Sequence, residues 1–209
     1  MAPSYPLALA DLGLPPFSAE IIMPKIQSRS EVPTSGVQLF QVYGDGPMRM
    51  RLTWPPLDRA EAAEVITFQL LLNSFGGAKQ FLAGDPNGAT PRGVGGGSPL
   101  VKGASQTGNQ LATDGWPLST SNVLRKFDWF QLRSGANARL YCVTEDASSD
   151  GSGDATLSIW PALRESPPDN EPLVITNPVG RWYLLDPTVR YSIDVATLYG
   201  VTLEAIEAL

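Results

Sequence analysis

The sequence predicts a mainly β fold with one long α-helix, and three observations lead to this prediction. Short runs in which apolar and polar residues alternate recur along the chain, as in strands with one buried face. The 20 glycines and 19 prolines fall largely between these runs, where turns are needed. Residues 54–81 instead place apolar residues at helical spacing over several turns. We expect this helix to pack against the strands, because so wide an apolar stripe must be buried.

The helix is predicted over residues 58–75. Asp58 can cap its first turn, and Glu61, three residues later, can complete a capping box. Gly76 and Gly77 end it, because glycine adopts the left-handed conformation at little cost. The apolar stripe consists of Val65, Phe68, Leu72 and Phe75, and we expect it to face a sheet formed by residues 37–54 and 180–209. We predict that this stripe is part of the core and not a subunit contact. The side expected to face outward carries Glu64, Thr67, Gln69 and Asn73.

Strands account for most of the remaining chain. Residues 19–32 alternate in polarity, and Pro24 within them indicates an edge or bulged strand, because proline cannot donate to a β-ladder. Residues 44–47 have turn composition. The other predicted strands are 37–43, 48–54, 78–83, 99–104, 109–116, 127–132, 139–145, 155–163, 173–177, 180–185, 190–196 and 201–209.

Two glycine- and proline-rich stretches, residues 84–98 and 164–172, suggest an inserted domain. We predict a β-sandwich or split-barrel domain from residues 19–92 and 166–209, which carries the helix. A small β-sandwich or OB-like domain, residues 93–165, is inserted into it. Residues 1–18 are proline-rich and predict an extended arm that becomes ordered on contact with a neighbouring subunit. Residues 84–98 are either a linker or a mobile functional loop, and are a second candidate for contact with neighbours.

The composition disfavours several functional classes. A net charge of −6 argues against binding of phosphate backbones, which requires clustered Lys and Arg. The absence of histidine removes the commonest general base and metal ligand. Cys142 is alone, so no internal disulfide can form, and we expect it to be a small buried hydrophobe. No apolar run reaches the roughly 20 residues that span a bilayer, and the first residues lack the basic segment of a signal peptide.

The motifs that could carry chemistry all have simpler interpretations. Residues 93–98 are glycine-rich but lack the Gly-Lys-Ser/Thr ending of a phosphate-binding loop. Asp146, Asp150 and Asp154 are spaced unlike the ligands of a calcium loop and fit a hairpin connection. An acid/base pair of the glycosidase type remains open by residue type alone among Glu145, Asp146, Asp186, Asp194, Glu204 and Glu207.

The tryptophans allow two interpretations. They could line a carbohydrate groove, but in a two-sheet protein they are more often core or subunit-interface residues. The five are Trp54, Trp116, Trp129, Trp160 and Trp182. We therefore predict no catalytic, cofactor-binding or metal-binding residues and expect a structural protein that is not an enzyme.

Several segments resemble a known family. They are WPPLDRAEAAEVITFQLLLNSFGG at 54–77, KQFLAGDP at 79–86, KGASQTGNQLATDGWP at 102–117, FDWFQL at 127–132 and RLYCVTEDASSDGSGDATLSIWPALR at 139–164. Over about residues 50–209 the chain resembles the minor tail proteins of long-tailed bacteriophages and gene transfer agents, and is most similar to the distal tail protein family. Phe127-Asp128 stands where that family usually has Gly-Asp, a departure that affects one turn.

The resemblance implies a virion structural protein. Distal tail proteins form a hexameric ring that joins the tail tube to the tip or baseplate complex, so the implied partners are copies of this chain, the tail tube protein and the tail-tip hub or other minor tail proteins. DNA would pass through the channel without specific binding, and no membrane insertion is implied. Two alternatives are a tail-tube or tail-completion ring protein, and a carbohydrate-binding module or glycan hydrolase at the tip that engages the host envelope.

Overall fold

The structure, a computed structural model, describes residues 5–16, 18–31, 36–74, 76 and 78–209. The prediction of a mainly β fold with one long helix is confirmed. The helix α1 is Arg59–Asn73, and short 3-10 turns are formed by Leu9–Leu12 and Gly135–Asn137. The strands are β1 (Leu7–Ala8), β2 (Ser18–Ile22), β3 (Lys25–Glu31), β4 (Gln38–Asp45), β5 (Arg49–Thr53), β6 (Phe81–Ala83), β7 (Leu100–Val101), β8 (Gln110–Asp114), β9 (Trp129–Leu132), β10 (Arg139–Val143), β11 (Ala155–Trp160), β12 (Gly180–Leu184), β13 (Tyr191–Ile193) and β14 (Tyr199–Glu207).

A seven-stranded sheet unites the two ends of the chain. Its order is β1-β6-β12-β14-β5-β2, and β13 pairs with the first part of β14. All pairs are antiparallel except β1 with β6. The long strand β14 alternates exposed and buried residues along most of its length, and its buried apolar side chains, Val201, Leu203 and Ala205, belong to the same core as the buried side of the helix. Strands from before residue 84 and from after residue 179 therefore share one core.

The helix covers the buried face of this sheet. Asp58 and Glu61 form the predicted capping box, and Asp58 accepts hydrogen bonds from the backbone amides of Ala60 and Glu61. Val65 and Leu72 are fully buried and Phe68 nearly so. The stripe therefore belongs to the core, as predicted, although Phe75 and Gly77 lie outside the described residues.

One side of the helix differs from the prediction. Gln69, expected on the outward side, is buried, whereas the apolar Leu70 is 53% exposed. Positions 62, 65, 69 and 72 lie on one face of the helix, so position 69 points to the sheet whatever residue it carries. The Gln69 side-chain amide donates to the carbonyl of Thr202 on β14 at 3.2 Å, which compensates for its burial.

The predicted strand 37–43 does not lie under the helix. It forms β4, which extends into the predicted turn at residues 44–47 and pairs only with β3 among the described strands. The expected strand at 19–32 is correspondingly two strands, β2 and β3, interrupted at Met23 and Pro24, and Val32 lies outside the described residues. The sheet beneath the helix is built instead from β5, β12 and β14 together with their neighbours.

A second sheet of five antiparallel strands, in the order β7-β8-β11-β10-β9, comes from residues 100–160. Every residue of β9 and β10 is buried. The reason is that Trp129, Leu140 and Cys142 pack into the core of the seven-stranded sheet, while the intervening Phe130 and Tyr141 pack into the core of the second unit. The two sheets are thus held together by strands that are covered on both faces.

The approach of the two sheets requires a glycine. A Cβ at Gly180, the first residue of β12, would lie 2.9 Å from the Cβ of Leu140 on β10.

The segment after the second sheet also packs against that sheet, since Leu173 and Ile175 join the second core and the backbone of Val174 bonds to that of Gln131. Val174 pairs with Gln131 as an isolated β-bridge, so residues 173–177 do not form the predicted strand. The division at residues 93 and 165 stays a prediction.

The loop at residues 84–98 is neither a free linker nor a loosely held segment. The amides of Arg92 and Gly93 donate to the Asp128 carboxylate at 2.8 and 2.9 Å. A Cβ at Gly93 would lie 2.5 Å from the carbonyl oxygen of Val123. Gly84, Gly93 and Gly97, which suggested mobility, are required by close backbone packing.

The described part of the N-terminal arm packs on its own chain. Leu7 and Ala8 pair with β6, and the Tyr5 hydroxyl donates to the carbonyl of Leu71 at 3.0 Å. The Trp54 indole donates to the carbonyl of Leu14 at 3.0 Å. The expectation that a neighbouring subunit is needed to order the arm is wrong for residues 5–16, while residues 1–4 and 17 lie outside the described part. Within the described ranges, no helix has the length and apolar character to cross a membrane.

Candidate assembly interface

Strands β3 and β4 form an exposed two-stranded sheet, which we call the ribbon. Residues 32–35, between these two strands in the sequence, lie outside the described residues. Every residue of β3 and all but the last two of β4 are exposed. The large apolar side chains of β4 are among these exposed residues: Leu39 is 58% exposed, Phe40 56%, Val42 55% and Tyr43 61%. The ribbon is therefore an apolar surface that the described chain leaves uncovered.

These apolar side chains occupy both faces of the ribbon. Phe40 is paired with Arg29, whose guanidinium lies 5.5 Å from the ring centroid, so the two share a face, and Val42 lies on that face too. Leu39 alternates to the opposite face, and the hydroxyls of Ser28 and Tyr43 lie 3.3 Å apart. A strand with apolar residues on both faces is typical of a strand that is covered on both faces.

The root of the ribbon is fixed by ionic and hydrogen bonds. Arg164 donates to the carbonyls of Asp45 and Gly46 at 2.7 and 2.8 Å and to both carboxylate oxygens of Glu207. Glu207 also accepts from the amide of Met48 at 3.0 Å. The Arg164 guanidinium and the Glu207 carboxylate are both largely buried. The ribbon therefore leaves the body of the protein in a defined direction.

Asp45 adds a second connection at the root. Its carboxylate accepts from Lys25 at 2.6 Å and from the amide of Ala162 at 2.8 Å. Burial alone would raise the pKa of Asp45, but these hydrogen bonds and the charge of Lys25 outweigh it and lower the pKa. Asp45 is thus held as a carboxylate that joins the ribbon to the loop after β11.

Two open strand edges accompany the apolar faces. Among the described strands, β2 pairs only with β5 and β4 only with β3. Ile21 on β2 packs partly against the main core and Ile22 is 43% exposed. Unpaired edges with apolar side chains are surfaces on which another strand can add.

The residues singled out for chemistry occupy structural positions. Asp150 accepts from the amides of Ser152 and Asp154, and Asp154 pairs with Lys102. The glycine-rich residues 93–98 bond to the turn at 122–123 and to Gly115. In the described ranges, no group of three or more potential metal ligands comes together.

The carboxylates considered for an acid/base pair are also engaged, each with partners in its own neighbourhood. Glu145 accepts from Ser158, Asp146 from the amide of Lys126, and Glu204 lies near Arg51. Asp186 and Asp194 accept from amides of their own turns. Glu207 belongs to the ribbon root. Asp186 and Glu204 both line one cavity of about 400 Å³, where Arg190 and Arg51 are their respective ionic partners.

The tryptophans and the cysteine are mostly core residues. Trp54, Trp116, Trp129 and Trp182 are buried, so they do not line an open groove, and Trp160 is half-buried. Burial raises the pKa of the Cys142 thiol to about 12, with smaller contributions from the charges of Asp128 and Asp85. These observations agree with the core interpretation of both residue types.

Sequence reasoning missed the ribbon as a site, although a signal was present. It identified residues 37–43 as a strand but placed them in the core sheet. Leu39, Phe40, Val42 and Tyr43 include two adjacent pairs, which put apolar side chains on both faces, whereas β3 is almost entirely polar. Such a strand beside a polar partner fits poorly in a one-sided sheet.

Comparison of the chain with protein-family models gave no match, and comparison with curated proteins gave none either.

Proposed function

We propose that this chain is a structural subunit of the tail tip of a long-tailed bacteriophage or gene transfer agent, of the distal tail protein type. It assembles in the host cytoplasm with copies of itself into a hexameric ring of the virion. The ring joins the tail tube to the tip hub and other minor tail proteins. The resemblance of residues 50–209 to that family supports this proposal, and it assigns no catalytic, cofactor or metal site.

The observation that carries the proposal is the ribbon. Its four large apolar side chains on β4 are more than half exposed on two faces of a sheet with a fixed root. Exposed apolar surface of this kind marks contact with another protein. A structural subunit that buries the ribbon between copies explains both faces at once.

The open edges of the ribbon are compatible with a ring. The outer edges of β3 and β4 face opposite directions, because the two strands pair with each other. When one edge of a copy joins the opposite edge of the next copy, the contact is heterologous and generates a closed ring or a helix. The net charge of −6 agrees with a channel that DNA passes without binding.

Electron microscopy and light scattering of the purified full-length protein test the proposal. We expect closed rings of six subunits. Leu39→Ser and Phe40→Ser, one on each face of the ribbon, are expected to shift the protein towards monomer. The matched control is Leu118→Ser, since Leu118 is 66% exposed but lies outside the ribbon; it is expected to assemble normally.

Two outcomes contradict the proposal. A protein that stays monomeric at every concentration has no tendency to form the ring. Ribbon variants that assemble like the wild type show that the ribbon is not the contact, even if rings form.

A further inference from the structure

A cavity of about 400 Å³ opens where the seven-stranded sheet is interrupted. Strands β12 and β13 pair with one side of β14, β12 with residues 205–207 and β13 with residues 199–201. The other side of β14 is occupied by β5 and the segment after it. Residues 202–204 therefore lie between the two pairings, opposite the loop 185–190 that joins β12 to β13. The cavity is a gap in the sheet that the chain spans with a loop.

Gln69 contributes a buried hydrogen-bond acceptor to this cavity. The residue is 3% exposed, and its side-chain nitrogen donates to the carbonyl of Thr202, a bond that fixes the orientation of the amide. The amide oxygen accepts no hydrogen bond from the described residues, although buried amide oxygens normally have a donor. Because protein atoms do not completely enclose this oxygen, a molecule in the cavity can supply the donor.

The charged groups of the cavity cancel one another. Arg51 lies 3.5 Å from Glu204, and Arg190 lies 3.4 Å from Asp186. Among the described residues that line the cavity, these four carry charge. A charged ligand would have to break one of the two pairs. A neutral ligand with several hydroxyl groups can instead donate to the carboxylates and accept from the guanidinium groups.

Tyr191 adds an aromatic surface to this polar lining. Its side chain is 55% exposed, and its ring lies 6.0 Å from the ring of Tyr199. Thr188 and Ser192 also line the cavity and carry hydroxyl groups. An aromatic ring beside donors and acceptors suits a sugar ring, which has apolar C–H faces and a polar edge. The cavity volume lies within the range of about 300–1,000 Å³ that small-molecule sites have.

We propose that this cavity binds a neutral carbohydrate, with one sugar ring against Tyr191 and its hydroxyl groups bonded to Gln69 and to the two ion pairs. The site belongs to the seven-stranded sheet, outside residues 93–165, and does not depend on the proposed self-assembly. A strand of another chain is excluded as the occupant, because the loop 185–190 already holds this side of β14. The amide of Leu185 donates to the carbonyl of Glu204 there at 2.9 Å.

Saturation-transfer NMR with the full-length protein tests this site. The probes are methyl glucoside, methyl galactoside and N-acetylglucosamine, which represent free sugars, and dextran, which represents a polysaccharide. We expect at least one probe to bind with a dissociation constant of the order of 1 mM. Binding of a monosaccharide without dextran assigns a free sugar to the site, whereas binding of dextran assigns a polysaccharide.

Two variants separate binding at this cavity from binding elsewhere. Tyr191→Ala is expected to weaken binding about fivefold or more, because the sugar loses its aromatic surface. Tyr43→Ala is the matched control, since Tyr43 is 61% exposed but lies on the ribbon, and it is expected to bind normally. Gln69→Leu is also expected to weaken binding, and urea denaturation checks its folding because the amide bonds to Thr202 as well.

Three results would overturn the proposal. The first is binding of no probe at about 10 mM. The second is an affinity that Tyr191→Ala leaves unchanged, or that Tyr43→Ala lowers equally. The third is tighter binding of glucuronate or glucosamine than of every neutral probe, because the cavity would then select a charge. None of these results bears on the proposed function, which is tested by ring formation.

Discussion

Arg164→Met removes the connection between the ribbon root and the end of β14. The Arg164 guanidinium makes four hydrogen bonds there: two to the carbonyls of Asp45 and Gly46, and two to Glu207. Without it, the Glu207 carboxylate, which is 5% exposed, keeps the amide of Met48 as its one donor among the described residues. The variant therefore leaves a buried charge without its counter-ion.

The expected cost is about 3–5 kcal/mol of the free energy of unfolding, the usual range for breaking a buried ion pair from one side. This corresponds to a rise of roughly 100- to 4000-fold in the unfolding equilibrium constant. The second variant, Arg164→Met with Glu207→Gln, removes the orphaned charge and leaves an acceptor for the Met48 amide. It is expected to regain at least about 1 kcal/mol, because neighbouring groups of one network do not contribute additively.

Urea denaturation followed by tryptophan fluorescence measures these differences. Arg190→Met is the matched control, since Arg190 forms a 3.4 Å pair with Asp186 but is 78% exposed; a change within about 0.5 kcal/mol is expected. A loss below about 1 kcal/mol for Arg164→Met, or equal losses for the single and double variants, refutes the role assigned to the network. The same variants, examined for ring formation, report whether the direction of the ribbon depends on its root.

Two further predictions concern the core and the pH dependence of stability. Leu72→Ala is expected to lower the free energy of unfolding by about 2–5 kcal/mol, because Leu72 is fully buried between helix and sheet. Leu70→Ala, on the exposed side of the helix, is expected to lower it by less than about 0.5 kcal/mol. Equal losses for the two variants in urea denaturation would contradict the assigned faces. The pKa of Asp45 is lowered in the folded state, so its carboxylate contributes stability above its unfolded pKa of about 3.9 and loses it as the pH falls through the lower folded value. Asp45→Asn should therefore destabilise the protein more at pH 7 than at pH 2, and parallel urea midpoints across that range would argue against it.

The helix shows how much of this fold is predictable from local sequence. Its capping box, apolar stripe and glycine-rich end depend on residues within a few positions of one another, and the structure contains the capping box, the stripe from Val65 to Leu72 and the left-handed Gly76 as predicted. Most strands were also predicted within two or three residues, because alternation and turn composition are local signals. Gln69 and Leu70 are the exception. Their identities suggested one orientation, while their positions on the helix, fixed relative to Val65 and Leu72, required the other.

The two loops show the limit of composition. Glycine in residues 84–98 was interpreted as freedom, yet Gly93 is needed because the backbone at Val123 leaves no room for a side chain. Proline in the N-terminal arm was interpreted as dependence on a neighbour, yet Tyr5 and Leu14 bond to the same chain. Composition identifies the absence of regular structure but does not tell which surface the segment lies against.

The sequence by itself determined the class of fold, the helix and its ends, the approximate strands and the lack of an obvious catalytic motif, because each depends on residue type and short-range spacing. Only the tertiary structure decided that β3 and β4 leave the sheet, that Arg164 and Glu207 fix their root, and that Gln69 lines a cavity between β12 and β13. These features depend on which strands pair across long separations in the chain. The apolar residues of β4 were visible from the start, but their exposure is a property of the folded chain, and it carries the proposal of assembly.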